Sequence, residues 1–286
     1  ALDGTTLHVG KGDIYGLVGP NGAGKSTIIR HITGVYKQDA GTVLIDGMPV
    51  FENSAVKEKF AYIPDELFYF MQADTMEMKR FYQGIYPKFD EKLFEKMRKF
   101  FPNIDTKRSI RRLSKGMQKQ VAFWLAICCR PEILILDEPV DGLDPVMRRQ
   151  IWSIIMADVS EHETTVFVSS HNLRELEDIC VHVGLLYKGG ILLSKELEEM
   201  KYHIHKVQCV FQNAGDEEEI LAKLEVLQHE KRGSVMSIVA RGTKQEILMT
   251  IQEKNPLLAE ILPLTLEEIF ISETEVAGYE VKNLFQ

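Results

Sequence analysis

Long apolar runs are missing from this chain of 286 residues: no stretch approaches the roughly 18 apolar residues that a membrane-spanning helix needs. No signal-peptide pattern is read at its start. Cysteine is scarce, and Cys128, Cys129, Cys180 and Cys209 show neither CxxC spacing nor a disulfide framework. A reduced, cytosolic setting is therefore expected. No internal repeat or low-complexity segment stands out. Positive charge is in deficit overall, with a formal net charge of −8, which argues against broad nucleic-acid binding. Acid is missing only locally. From Thr106 to Pro131 there is no Asp or Glu, while Lys107, Arg108, Arg111, Arg112, Lys115, Lys119 and Arg130 all fall in that window.

What is present has the balance of a soluble globular protein, 45% apolar and 27% charged, in a length that fits one large domain or two ordinary ones. Strand-like runs at IYGLV (14–18), TVLIDG (42–47), FAYIP (60–64), EILILDEP (132–139), TTVFVSS (164–170) and VGLLY (183–187) are separated by helical patterns, which implies a largely parallel sheet with helices on both faces. Residues 188–190, KGG, read as a hairpin turn. Residues 70–112 read as a helical insertion. One helix runs from Thr75 to about Gly84. Another is capped by Asp90, carries Leu93, Phe94, Met97 and Phe101 on one face, and is ended by Pro102. From about Tyr202 the texture changes to a small βαββαβ pattern, in which KVQCVFQ (206–212) alternates like an exposed edge strand.

Gly19, Pro20, Asn21, Gly22, Ala23, Gly24, Lys25, Ser26 and Thr27 fit the spacing G-x-x-x-x-G-K followed by Ser or Thr, between a strand-like run and a helix-like one. Glycines let backbone N–H groups close around phosphate oxygens, and the helix N-terminus adds a favourable dipole. Lys25 can reach the β and γ phosphates, and Ser26 can ligate Mg2+. The run ILILDE (133–138) carries Asp137 to a strand tip at the ligand-binding edge of such sheets. There Asp137 would hold the hydration shell of Mg2+, and Glu138 would polarise the attacking water.

Together these motifs resemble the ATP-binding subunit of ABC transporters over residues 1 to about 200. RRLSKGMQKQ (111–120) stands where that family has its signature motif, DGLDP (141–145) matches its D-loop, SSHN (169–172) its switch-histidine loop, and AYIPDE (61–66) takes the place of its Q-loop. The resemblance implies an α/β fold with the P-loop NTPase core of an ABC ATPase. That core would have a mostly parallel sheet, an antiparallel β part and the helical insertion (residues 1–203), with a small α+β accessory domain following (204–286).

It also implies ATP and Mg2+ as cofactors and head-to-tail pairing with a second ATPase subunit, the same or different. Integral-membrane permease subunits would be partners and nucleic acid would not. The expected place is the cytoplasmic face of a bacterial membrane. Catalysis falls to Glu138, His171 and Lys25, Mg2+ to Ser26, Asp137 and Asp65, and dimer coupling to Asp144. Ser114 and Gly116 would contact, in trans, the ATP bound by the partner. The alternative is a soluble ABC ATPase not coupled to transport.

Three departures from the family pattern are visible. LSGGQ appears as Leu113-Ser114-Lys115-Gly116-Met117, a variant resembling multidrug and peptide exporters of the bacitracin-resistance type. Asp65 replaces the usual Gln of the Q-loop. Residues 1–4 resemble the start of the family's second strand, so its first strand and adenine-stacking aromatic are expected to precede this numbering, and no stacking residue is assigned. Two surface readings stay open. Phe68, Tyr69, Phe70 and Met71 either line a cleft for the permease or belong to the core of the insertion. The basic island either faces the nucleotide-loaded partner, through Lys115 and Lys119, or spends Arg108, Arg111 and Arg112 on surface acids. The ending LTLEEIFISE (264–273) resembles the tail of exporter-type subunits, stabilising or regulating the dimer or simply packing.

Overall fold

Buried on both faces, the strands Ile14–Val18 and Thr165–Ser170 form the middle of a parallel sheet. The computed structural model describes residues 2–276, and in it the order is Phe60–Ile63, Ile133–Asp137, Thr165–Ser170, Ile14–Val18. Runs such as ILILD and TVFVSS need no alternation because helices cover both sides of a parallel sheet. Tyr15 and Phe167, register partners, stack with ring centroids 5.8 Å apart. This sheet belongs to a compact unit that ends at His171 and includes Leu186–Ile191. Residues 2–4 form no strand; Asp3 N instead donates to Gly189 O at 3.0 Å. TVLIDG is reduced to a hairpin pairing Leu44–Ile45 with Met48–Pro49.

In the same unit the helix Lys115–Cys128 is buried continuously from Val121 onward, as expected of a helix apolar all round. Trp124 anchors it, donating Nε1–H to Phe94 O at 2.9 Å and stacking on the Phe94 ring at 4.5 Å. The insertion helices Thr75–Ile85 and Glu91–Met97 are capped by Asp74 and Asp90. The second stops before Pro102. Lys99 N and Phe100 N bond three residues back, to Lys96 O and Met97 O, which tightens and ends the helix. Phe101 is buried beyond that end, its ring 5.8 Å from Trp124.

The second unit comprises Asn172–Leu185 and the chain from Leu192 onward. Its sheet runs Glu225–Arg232, Val235–Arg241, Ile204–Val210, Leu258–Leu262, all antiparallel. The helices Ala214–Lys223 and Lys244–Gln252 supply Ile220, Ile247 and Ile251 to its core. This is a βαββαβ arrangement of the ferredoxin-like kind. Ile204–Val210 is an inner strand, not the expected edge strand. Its alternation records one buried face, with Val207 and Cys209 inside, and carries no information about hydrogen-bond neighbours. The helix Leu266–Val276 buries Leu266, Ile269 and Phe270 and packs against Leu173–Glu177 and Leu197–His203. Residues 277–286 of the accessory segment lie outside the described residues.

Candidate nucleotide-binding and hydrolysis site

Parallel strands share a direction, so their C-terminal ends reach one edge. Register sets Val18 opposite Ser170 and Asp137 opposite Ser169, which brings the glycine loop, the acid pair and the histidine to that edge. A Cβ at Gly19 would collide with the carbonyl oxygen of Leu186. Gly24 has φ +115°, a conformation open in practice to glycine alone. The helix Lys25–Ile32 starts directly after it. Gly24 offers no side-chain cap and the first turn holds no acid, which leaves the positive end of the dipole available to an anion.

Lys25 is buried at the start of that helix. Its Nζ donates to Gly19 O at 2.7 Å and lies 3.3 Å from Glu138 Oε1. Glu138 Oε2 is 2.9 Å from His171 Nδ1 and accepts from His171 N at 3.3 Å. The three residues expected to be catalytic therefore form one continuous polar chain. Glu138 itself sits at φ +45°, a left-handed conformation costing a non-glycine residue about 1–3 kcal/mol.

Ser169, which the sequence reading did not single out, holds two acids in place. Its hydroxyl donates to Asp137 Oδ1 at 2.5 Å, and its oxygens accept from Glu138 N at 3.2 and 3.3 Å. The only sequence signal was the doubled serine before His171. Asp137 is buried, Ser26 exposed. Burial, then the carboxylates of Asp137 and Asp65, push the Tyr62 phenol up to about 12, so it remains a neutral hydroxyl beside them. Asp65 is exposed and its ionic partner is Lys119, 3.6 Å away.

Residues 2–141 match the sequence profile of the ABC transporter family. The lantibiotic transport ATP-binding protein SrtF of Streptococcus pyogenes is 32% identical over 198 residues, covering 69% of this chain and 85% of that protein. The chain belongs to the ABC transporter ATP-binding family. The ABC transporter ATP-binding protein YtrB of Bacillus subtilis (strain 168) is 29% identical over 272 residues, 95% of this chain and 92% of its own. The bacitracin transport ATP-binding protein BcrA of Bacillus licheniformis is 31% identical over 70% of this chain and 66% of its own. A solved ATP-binding subunit of an ABC transporter superposes with a TM-score of 0.64 at 26% identity, covering 70% of this chain and 85% of that one.

In this ABC ATPase Ser114, expected from the sequence to belong to the signature motif, is exposed and caps the helix Lys115–Cys128, its hydroxyl accepting from Met117 N at 3.2 Å. Gly116 faces Leu143, whose Cδ2 would stand 3.4 Å from an added Cβ. Asp144 caps Pro145–His162 by accepting from Val146 N and Met147 N at 3.0 Å. The basic island divides. Lys119 is buried, so the expectation that it faces outward fails. Arg130 pairs with Asp90 and Asp158, and Arg111 donates to Tyr69 O at 3.2 Å. Lys107, Arg108, Arg112 and Lys115 are exposed.

The aromatic stretch divides too. Tyr69 is buried and its hydroxyl donates to Gln118 O at 2.7 Å, whereas Phe68, Phe70 and Met71 are exposed at 72%, 45% and 79%. Phe70 packs edge-on against exposed Phe81 at 4.8 Å.

Proposed function

We propose that this ABC ATPase hydrolyses Mg2+-bound ATP in a head-to-tail dimer and energises an exporter whose permease subunits are separate chains. The chain Lys25–Glu138–His171 carries the reading. Lys25 and the loop 19–27 hold the phosphates, Glu138 takes up the proton side of the attacking water, and His171 orients Glu138 and meets the γ-phosphate. Ser26 and Asp137 hold Mg2+. Their oxygen donors suit a hard cation, and among the described residues no cluster of three or more His, Cys, Asp or Glu could cage a metal, as befits an ion that takes its other ligands from phosphate and water. When bound, Mg2+ neutralises charge developing on the phosphates.

Ser114 and the amide at Gly116 complete the partner's site, with Asp144 shaping the contact between subunits. Phe68, Phe70, Met71 and Phe81 form an apolar patch that suits a coupling element of the permease. Among the described residues no helix is long and apolar enough to cross a membrane, which fits peripheral attachment on the cytoplasmic face. The exporter reading is supported by likeness to SrtF and BcrA, whose names give lantibiotic and bacitracin transport. Residues 204–286 act as an accessory domain. The test is Glu138→Gln with ATP and Mg2+ in sedimentation velocity. The variant should form a long-lived dimer without turnover, and a Ser114→Arg change should abolish that dimer. A monomer under saturating ATP would overturn the head-to-tail reading.

A further inference from the structure

The geometry points to a latch within one chain: Lys119 is a positioning residue that holds Glu138, and Asp65 is its counter-ion rather than a metal ligand. This rests on the reading of Glu138 as the group that polarises water. Lys119 lies on the helix that Ser114 caps, yet only 8% of it is exposed. Its Nζ donates to Glu138 O and to Asp141 O, each at 2.9 Å, and lies 3.6 Å from Asp65 Oδ1. A buried ammonium is tolerated only when it is partnered, and here the partners come from two separate segments. They are the loop after Phe60–Ile63 and the turn that starts at the left-handed Glu138 and reaches Asp141.

The consequence for Glu138 is mechanical. Its N–H is taken by Ser169 and its carbonyl by Lys119, so both sides of a strained residue are fixed. Its carboxylate is then aimed between Lys25 and His171. Asp65 supplies the negative charge that a neutral glutamine would not. It also lies three residues before Phe68, so one ion pair joins the segment bearing the apolar patch to the backbone of Glu138.

The test uses the full chain with Lys119→Met, Asp65→Asn and the double variant. Three readouts are taken: steady-state ATPase, the Mg2+ concentration for half-maximal rate, and amide hydrogen exchange of residues 138–143 without nucleotide. Lys119→Met should lower kcat about tenfold or more while KM for ATP stays within about twofold, and exchange at 138–143 should quicken. Asp65→Asn should do the same to a smaller degree, leave the Mg2+ requirement unchanged, and add nothing to Lys119→Met. Wild-type kcat and exchange in Lys119→Met would overturn the latch. So would additive effects, or a raised Mg2+ requirement in Asp65→Asn. If Lys119→Met does not fold, the exposed Asp65→Asn decides by kcat, Mg2+ requirement and exchange. If Glu138→Gln turns over like wild type, the role of Glu138 fails, while the exchange experiment still judges the latch.

Discussion

The ammonium of Lys25 bridges Gly19 O and the carboxylate of Glu138, at 2.7 and 3.3 Å, with both side chains largely buried. A triphosphate that engages Lys25 has to draw it away from Glu138 and then sits beside that carboxylate. Glu138→Gln removes both obstacles. ATP affinity should rise by roughly fivefold, about 1 kcal/mol, the scale of one modest ion pair. Turnover should fall about 100-fold or more, as for loss of a general base. Titration with a fluorescent ATP analogue, beside phosphate release, checks both.

Gly24→Ala forces a Cβ into φ +115° at the start of the phosphate helix, where the nearest neighbour is the flexible Leu2 side chain, 3.0 Å away. The backbone penalty is about 1–3 kcal/mol, and the loop can relieve it by rotating its amides away from the anion site. The variant should melt within a few degrees of wild type and lose ATP binding. Retained affinity would show that the loop's amide geometry is not what binds phosphate.

The stretch 67–71 makes opposite predictions at neighbouring positions. Phe68→Asp with Phe70→Asp should leave melting unchanged and abolish capture of the permease, because both rings face solvent. Tyr69→Phe should cost about 0.5–1.5 kcal/mol, because it removes one part-buried hydrogen bond, from its hydroxyl to Gln118 O. Urea unfolding separates the two.

Trp124→Phe tests the anchor of the signature helix. It keeps a ring against Phe94 but removes one buried hydrogen bond to Phe94 O, which still accepts from Arg98 N at 3.2 Å, a loss of about 0.5–1.5 kcal/mol. Trp124→Ala should cost about 3–5 kcal/mol by opening a cavity between the helix and the insertion. Denaturant midpoints of the two variants give the comparison.

The phosphate loop, Asp137 and His171 were legible in the sequence because their information is local. Glycine spacing encodes backbone angles, and an unbroken apolar run encodes a buried parallel strand that ends at the ligand edge. Asp90 shows the same logic at a helix cap. KVQCVFQ was misread as an edge strand because alternation reports which face is buried, while strand order depends on Val235–Arg241 and Leu258–Leu262 arriving on either side. The helix expected to run to Pro102 ended early because the apolar spacing of Phe101 survives a tight turn.

The sequence by itself determined the family, the parallel core and the residues at the tips of its strands. Only the tertiary structure decided what the lysines and aromatics between those motifs do. Lys115 and Lys119 are four residues apart on one helix, yet one meets solvent and the other is enclosed by Glu138, Asp141 and Asp65. Tyr69 turns inward between Phe68 and Phe70 because Gln118 O stands there to accept its hydroxyl. Burial and partnership are properties of what packs against a residue, and here those neighbours lie far away along the chain.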